Sequence, residues 1–185
     1  QKRHAEAAAI LRNMQAEALE YANTFGPIIK RAKAGNLVYH SDTGTLSLHA
    51  DGTALDDLSI LRGVPLDRLY ISQTPVTDLG LLRGMPLTSL SLRKTRVADL
   101  SPLRGMPLKT LDICDTKVND LSPLRGLPLE ALYLDNTSIT DLTPLAGMPL
   151  RELHMRQTGP LDAVNWSTRD PPPEKTIDLS PLRGM

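Results

Sequence analysis

The sequence predicts an α/β solenoid, a coil built from near-identical turns of chain, and three observations predict it. An aspartate recurs every 21 residues, at Asp57, Asp78, Asp99, Asp120 and Asp141. A glycine keeps the same interval at Gly63, Gly84, Gly105, Gly126 and Gly147, and a proline at Pro65, Pro86, Pro107, Pro128 and Pro149. Five copies without a slip mark a repeat protein, in which each unit buries its apolar face only against its neighbours. The composition suits such a stack: 41% of residues are hydrophobic but only 3% aromatic, so the core must be made of Leu, Ile, Val and Met.

Residues 1 to about 25 are expected to be helical, because Ile10, Met14 and Tyr21 share one stripe and Leu11, Ala18, Ala22 and Phe25 the next. Gly26-Pro27 should end that helix, and a second short one should run from Pro27 to Ala34 with Gly35 as its stop. Residues 1–35 then form a helical cap over the first coil, in preference to a coiled-coil or linker helix, since an open repeat stack needs its end face covered.

Residues 36–56 combine a hairpin with a degenerate first repeat. Leu37-Val38-Tyr39 and Leu46-Ser47-Leu48 flank the turn-forming Ser41-Asp42-Thr43-Gly44, and Leu48, Thr53 and Leu55 lie one period before Leu69, Thr74 and Val76. The strand at 37–40 would close a sheet edge that otherwise lies open.

Residues 57–161 hold five 21-residue repeats. In the third, Leu108, Leu111, Ile113, Thr116 and Val118 give a Leu-x-x-Leu-x-Leu-x-x-Thr-x-Val pattern, whose alternation predicts a short strand with Leu111 and Ile113 inward and Asp112 outward. Thr116 should end the strand and satisfy a backbone group of the neighbouring loop, with Thr74, Thr95, Thr137 and Thr158 extending the ladder. Ser101 is the expected N-cap, Pro102 the first helical residue and Gly105 the stop, which leaves room for a single 3₁₀-like turn.

These two motifs, Leu-x-x-Leu-x-Leu-x-x-Thr-x-Val and Asp-Leu-Ser-Pro-Leu-Arg-Gly-Met-Pro-Leu, resemble the leucine-rich repeats of a group of bacterial proteins over about residues 46–161. The resemblance implies a curved, right-handed solenoid with a parallel sheet on the concave face and short 3₁₀ turns on the convex face. It also implies a protein-interaction module, in arrays that often accompany protein kinase or other signalling domains. Threonine stands where many leucine-rich repeats place asparagine. No Gly-x-Gly-x-x-Gly loop, His-Arg-Asp or Asp-Phe-Gly of a kinase is present.

After Thr158 the period breaks, and residues 162–177, with Trp166 and Pro171-Pro172-Pro173, are an expected insertion loop before residues 178–185 restart the motif. The chain begins at Gln1 and ends at Met185 inside that motif, so it is expected to be a piece of a longer protein.

Charge and composition exclude several classes. Lys+Arg and Asp+Glu number 21 each, so no long-range field favours nucleic acid or an anionic membrane. No apolar run is long enough to insert into a membrane. The compartment stays open, with the cytoplasm favoured. Cys114 is the one cysteine; histidines His40, His49 and His154 lie at least two coils away, so no Cys–His dyad is expected, and Cys114 should be a small outward side chain on the concave strand. Asp112, Asp115 and Asp135 with Asn136 could offer oxygen ligands to Ca²⁺, but a solvated acidic patch is the preferred assignment, and no metal or cofactor is expected. Asn136-Thr137-Ser138 and Asn165-Trp166-Ser167 match the glycosylation acceptor pattern, idle if the bacterial resemblance holds.

What varies from copy to copy is the outward surface. One column runs Tyr70, Ser91, Asp112, Tyr133, His154; a second Ser72, Arg93, Cys114, Asp135, Arg156; a third Gln73, Lys94, Asp115, Asn136, Gln157. Tyr and Arg are enriched at interface hot spots, so Tyr70, Arg93, Lys94, Asp112, Asp115, Tyr133, Asp135, His154 and Arg156 are the candidate protein-binding residues. Arg93, Lys94 and Arg96 should form a positive band beside the negative band of Asp112, Asp115, Glu130 and Asp135. The expected partner is a protein or peptide on the concave face, and no catalytic constellation is visible. The alternative is a structural element that self-associates through the N-terminal helix and the open C-terminal repeat end.

Overall fold

The computed structural model describes residues 16, 18–30 and 33–156. Chain 1–15, Thr158 of the threonine series, Gln157 of the third column, the insertion at 162–177 with Trp166, and the restart at 178–185 lie outside the described residues.

Helix α1 covers 18–30 without interruption, so the expected break at Gly26-Pro27 does not occur and the two predicted helices are one. A proline inside a helix forfeits one N–H bond and crowds the carbonyl four residues back. The turn that follows it is held by Ile29, which is fully buried, while Tyr21 and Phe25 stack at 5.7 Å on the side packed against the core. The helix closes before Gly35. The Ala34 amide donates to the Ile29 carbonyl and the Lys33 amide to the Lys30 carbonyl, with Lys33 at φ +54°, the paired bonds and left-handed residue of a Schellman motif. Gly35 does a different job: a Cβ there would lie 2.5 Å from the His49 carbonyl oxygen, so only glycine lets the chain pass this close to the sheet.

Strands β1 (Asn36–His40) and β2 (Thr45–His49) form the predicted antiparallel hairpin, with Leu37 opposite Leu48. Strands β3 (Leu66–Tyr70), β4 (Ser89–Ser91), β5 (Thr110–Asp112), β6 (Ala131–Tyr133) and β7 (Glu152–His154) follow in parallel, in the order β1 to β7 across one sheet. The register advances by one period per strand, placing Leu69, Leu90, Leu111, Leu132 and Leu153 side by side. Opposite the sheet run 3₁₀ turns at Leu58–Leu61, Gly80–Leu82, Ser101–Leu103, Ser122–Leu124 and Thr143–Leu145.

Each coil is closed by two local devices. Thr53, Thr74, Thr95, Thr116 and Thr137 each donate a hydroxyl to the carbonyl three residues back, at 2.7–2.8 Å. The acceptor therefore lies in the threonine's own coil, not in the neighbouring loop as expected, because the chain turns sharply after the strand and brings that carbonyl under the hydroxyl. The second device is the repeat aspartate. Asp99 Oδ1 accepts from the Ser101 amide at 2.8 Å and Oδ2 from the Ser101 hydroxyl at 2.7 Å, so the carboxylate rather than the serine caps the 3₁₀ turn. Ser101 is the first residue of that turn, and Pro102 the second.

Between sheet and turns the interior is aliphatic. Leu69, Leu111 and Leu132 are fully buried, as are Ile71, Ile113 and Leu134 two residues on. Replacing Leu111 with Ala should cost about 2–5 kcal/mol in a urea titration, because neighbouring coils cannot collapse into the gap without breaking register. The same change at Leu153, only half-buried in the last described coil, should cost less. Equal losses at both positions would count against a core centred on the middle coils.

The caps also set a response to acid. Bonds from the serine hydroxyl, then the serine amide, hold Asp57, Asp99 and Asp120 below the ordinary carboxylate range; for Asp141 the Thr143 amide leads and its hydroxyl follows. With the folded value below the unfolded one, the unfolded chain takes up protons first as pH falls. The stability these caps contribute is complete above the unfolded carboxylate pKa and is lost as pH falls through the lowered folded values. The urea midpoint should therefore drop between about pH 5 and pH 3, and Asp99→Asn should flatten that drop. A midpoint independent of pH across this interval would contradict the capping account.

Candidate functional site

Side chains that alternate with the buried leucines stand on the other side of the sheet. Sheet register assembles them into columns at about 4.8 Å spacing. The innermost column runs His49, Tyr70, Ser91, Asp112, Tyr133, His154.

At each end of this column an imidazole lies on a phenol. The His49 and Tyr70 rings stack with centroids 4.7 Å apart, and those of Tyr133 and His154 lie 4.8 Å apart, more tilted. The Tyr133 hydroxyl donates to Glu152 Oε2 at 2.6 Å, and this bond, reinforced by desolvation and the carboxylate charge, raises the phenol pKa. Between the stacks Ser72 and Ser91 share a hydroxyl–hydroxyl bond of 2.8 Å, and Ser91 lies 3.5 Å from Asp112 Oδ2. Near β1 the buried Ser47 hydroxyl bonds to His40 Nε2 at 2.7 Å and His49 Nε2 at 3.2 Å, which fixes both rings.

The second group of candidates lies just past the strand ends. Gln73, Lys94, Asp115 and Asn136 all adopt φ of 56–58°, the left-handed conformation that turns the chain out of the sheet. Their amides continue the ladder between coils: the Lys94 amide donates to the Cys114 carbonyl and the Asp115 amide to the Asp135 carbonyl. Lys94 and Asp115 therefore occupy structural corners. Asp115 Oδ1 accepts from Asn136 Nδ2 at 2.8 Å, and its buried Oδ2 has Arg93 Nη2 at 3.3 Å, a charge contact without hydrogen-bond alignment.

This pairing changes the expected charge pattern. Arg93 reaches across the boundary to Asp115, and Lys109 pairs with Glu130 at 3.5 Å, so the positive and negative bands partly neutralise each other. Arg96 lies past the buried Thr95, off the strand. Nor do the acidic candidates converge. Asp112 Oδ1 accepts from the Cys114 amide at 2.9 Å and Asp135 Oδ1 from the Arg156 amide, so each serves the backbone separately. No group of three or more His, Cys, Asp or Glu is placed to hold a metal ion among the described residues. No helix among them is long and apolar enough to cross a membrane.

Cys114 is not at the surface as expected. It is 1% exposed, its thiol covered by the neighbouring Asp112 side chain. Burial, with Asp112 as hydrogen-bonding and repelling neighbour, pushes its thiol up to about 12. An aromatic disulfide reagent should label the folded chain slowly at about pH 8 and the urea-unfolded chain promptly. Prompt labelling of the folded chain would place the thiol at the surface.

Of the nine candidates, Asp112, Tyr133 and His154 are brought together on consecutive strands, and Arg93 meets Asp115. Tyr70 stands two strands from Asp112, and among the described residues the exposed Arg156 meets the candidates through its backbone amide. Three participants are absent from the predicted set: His49, His40 and Glu152. A fourth outward column, Arg68, Ser89, Thr110, Ala131, Glu152, also went unread, although it lies two residues before the Tyr70 column and the same alternation points to it.

No protein-family model matches the sequence, and no curated protein matches it. The structure does align with the crystal structure of an internalin, inlF, from Listeria monocytogenes, with a TM-score of 0.52 and 31% identity over 55% of this chain. The fold is a leucine-rich repeat solenoid. The chain spans 31% of that internalin's own length, so the likeness covers only part of the other protein. An internalin C2 from the same species aligns over 62% of this chain and 75% of its own at 22% identity, with a TM-score of 0.33. In this leucine-rich repeat the parallel sheet lines the concave face and the 3₁₀ turns the convex face.

Proposed function

We propose that the protein is a protein-interaction module that holds a protein or peptide partner on the concave face of its leucine-rich repeat. One observation carries the proposal. Every full repeat keeps its leucines, its threonine, its aspartate cap and its glycine, and within the strands the positions released from repetition are those on the open side of the sheet. A face that needed only to stay soluble would have no use for two imidazole-supported tyrosines, since exposed aromatic area is what partner surfaces bury. The likeness to an internalin solenoid supports the same reading. A place within a larger signalling protein extends it and rests on the resemblance of the repeats alone.

Self-association through the N-terminal helix has less to support it. Ala18 and Ile29 of α1 are buried and its two aromatics pack inward, which makes the helix a cap on the first coil. Its exposed large apolar residues, Leu19 and Ile28, are nine positions apart and so point to opposite sides of the helix, about 180° from each other.

Tyr133→Ala should weaken partner binding by about 2 kcal/mol through lost aromatic burial. Arg93→Ala should mainly lower the association rate and its dependence on salt, because a guanidinium that is itself exposed acts on a partner chiefly through long-range charge. The measurement is a pull-down from lysate of the source organism followed by binding kinetics on the captured protein. If both variants retain every partner while Arg104→Ala or Arg125→Ala on the convex side abolishes capture, the concave face is not the binding face.

A further inference from the structure

We infer that the trough between Tyr70 and Tyr133 receives a basic side chain, arginine above lysine, from the bound partner, seated between the Asp112 carboxylate and the open face of the Tyr133 ring. This deepens the concave-face reading and rests on it.

Register makes the trough. Along one column the strands present Tyr70, Ser91, Asp112 and Tyr133, so the two phenols stand about 14 Å apart, three strand spacings, with only two short side chains between them. Each phenol is supported from outside the trough: His49 lies against Tyr70 and His154 against Tyr133. The Glu152 bond further fixes the Tyr133 ring. Each ring is thus held upright with its second face turned toward the trough.

The chemistry of the trough is that of a cation acceptor. Aromatic faces carry negative potential and attract guanidinium or ammonium groups. Asp112 is half-buried and has no cationic partner among the described residues; its Oδ1 accepts from the Cys114 amide, its carboxylate also takes the Cys114 thiol, and Oδ2 has the long contact with Ser91. Ser91 and Ser72 add hydroxyl oxygens beside it. The neighbouring Arg93 is drawn away to Asp115, so the chain's own guanidinium is already engaged. Arginine suits the place better than lysine because a planar guanidinium can lie on a ring while its edge donates to a carboxylate.

The test uses the full chain, isotopically labelled, titrated with N-acetyl-arginine amide and with its neutral isostere, N-acetyl-citrulline amide. The arginine compound should shift the backbone amide signals of Ser91, Asp112 and Tyr133, and the citrulline compound should not. Asp112→Asn and Tyr133→Leu should each weaken arginine binding about tenfold, with unfolding midpoints recorded to show that both variants fold. No shift with arginine, equal shifts with citrulline, or undiminished binding by both folded variants overturns the inference. A second arm pans a random displayed peptide library on the same chain. Enriched peptides should carry basic residues and lose binding to Asp112→Asn. Peptides that lack basic residues, bind Asp112→Asn normally and are blocked by Ser91→Trp would overturn the basic-side-chain inference while leaving the concave-face reading intact.

Discussion

Everything in this molecule depends on one constraint: adjacent coils must stay in register by a whole period. The side-by-side leucines Leu69, Leu90, Leu111 and Leu132 meet only in that register, and so do the amide-to-carbonyl bonds that continue past the strand ends into Gln73, Lys94, Asp115 and Asn136. A slip of one residue would turn the leucines outward and the tyrosines inward. The threonine and aspartate bonds guard against it from within each coil, the first closing the turn after the strand and the second starting the 3₁₀ turn. Both bonds are local, but a coil pairs its strand and buries its apolar face only against its neighbours.

The same constraint organises the concave face. A solenoid cannot choose the spacing of its outward residues; it can only choose their identity in each copy. Placing tyrosine in the second and fifth strands of the parallel series, with serine and aspartate between, produces a recess walled by rings. Histidines one strand further out prop those rings, a role open to them because a ring stack tolerates the strand spacing. Polar groups at the corners are largely used up by the scaffold: Asp115, Asp135 and Asn136 all hold neighbouring coils. Variation in those positions therefore answers to structure as well as to any partner, whereas variation at Tyr70, Ser91 and Tyr133 has no such duty to the backbone.

At the first coil the stack is finished differently. Strand β1 pairs antiparallel with β2 and forms the edge of the sheet, while α1 lays Ala18 and Ile29 into the core. Gly35 lets helix and sheet meet without a gap, since the chain passes within a Cβ's reach of the His49 carbonyl. The core side of this end of the solenoid is thus covered by non-repeating chain.

By itself the sequence determined the coil. A strict period names which residues must be equivalent, and alternation around Leu111 and Ile113 assigns their faces, so the parallel sheet, the single 3₁₀ turn, the edge hairpin and the outward position of Tyr70 and Tyr133 could all be read without coordinates. Only the tertiary structure decided what those residues do to one another. That Asp99 rather than Ser101 caps the turn, that Cys114 is buried, that α1 passes through Pro27, and that Asp115 is drawn to Arg93 are settled by how tightly the chain turns and by what lies one coil away. Periodicity reports which positions are alike. It cannot report the direction of a side chain at a left-handed corner, or which of two neighbouring carboxylates a guanidinium will reach, because those depend on distances of an ångström or two across coils that are 21 residues apart in the chain.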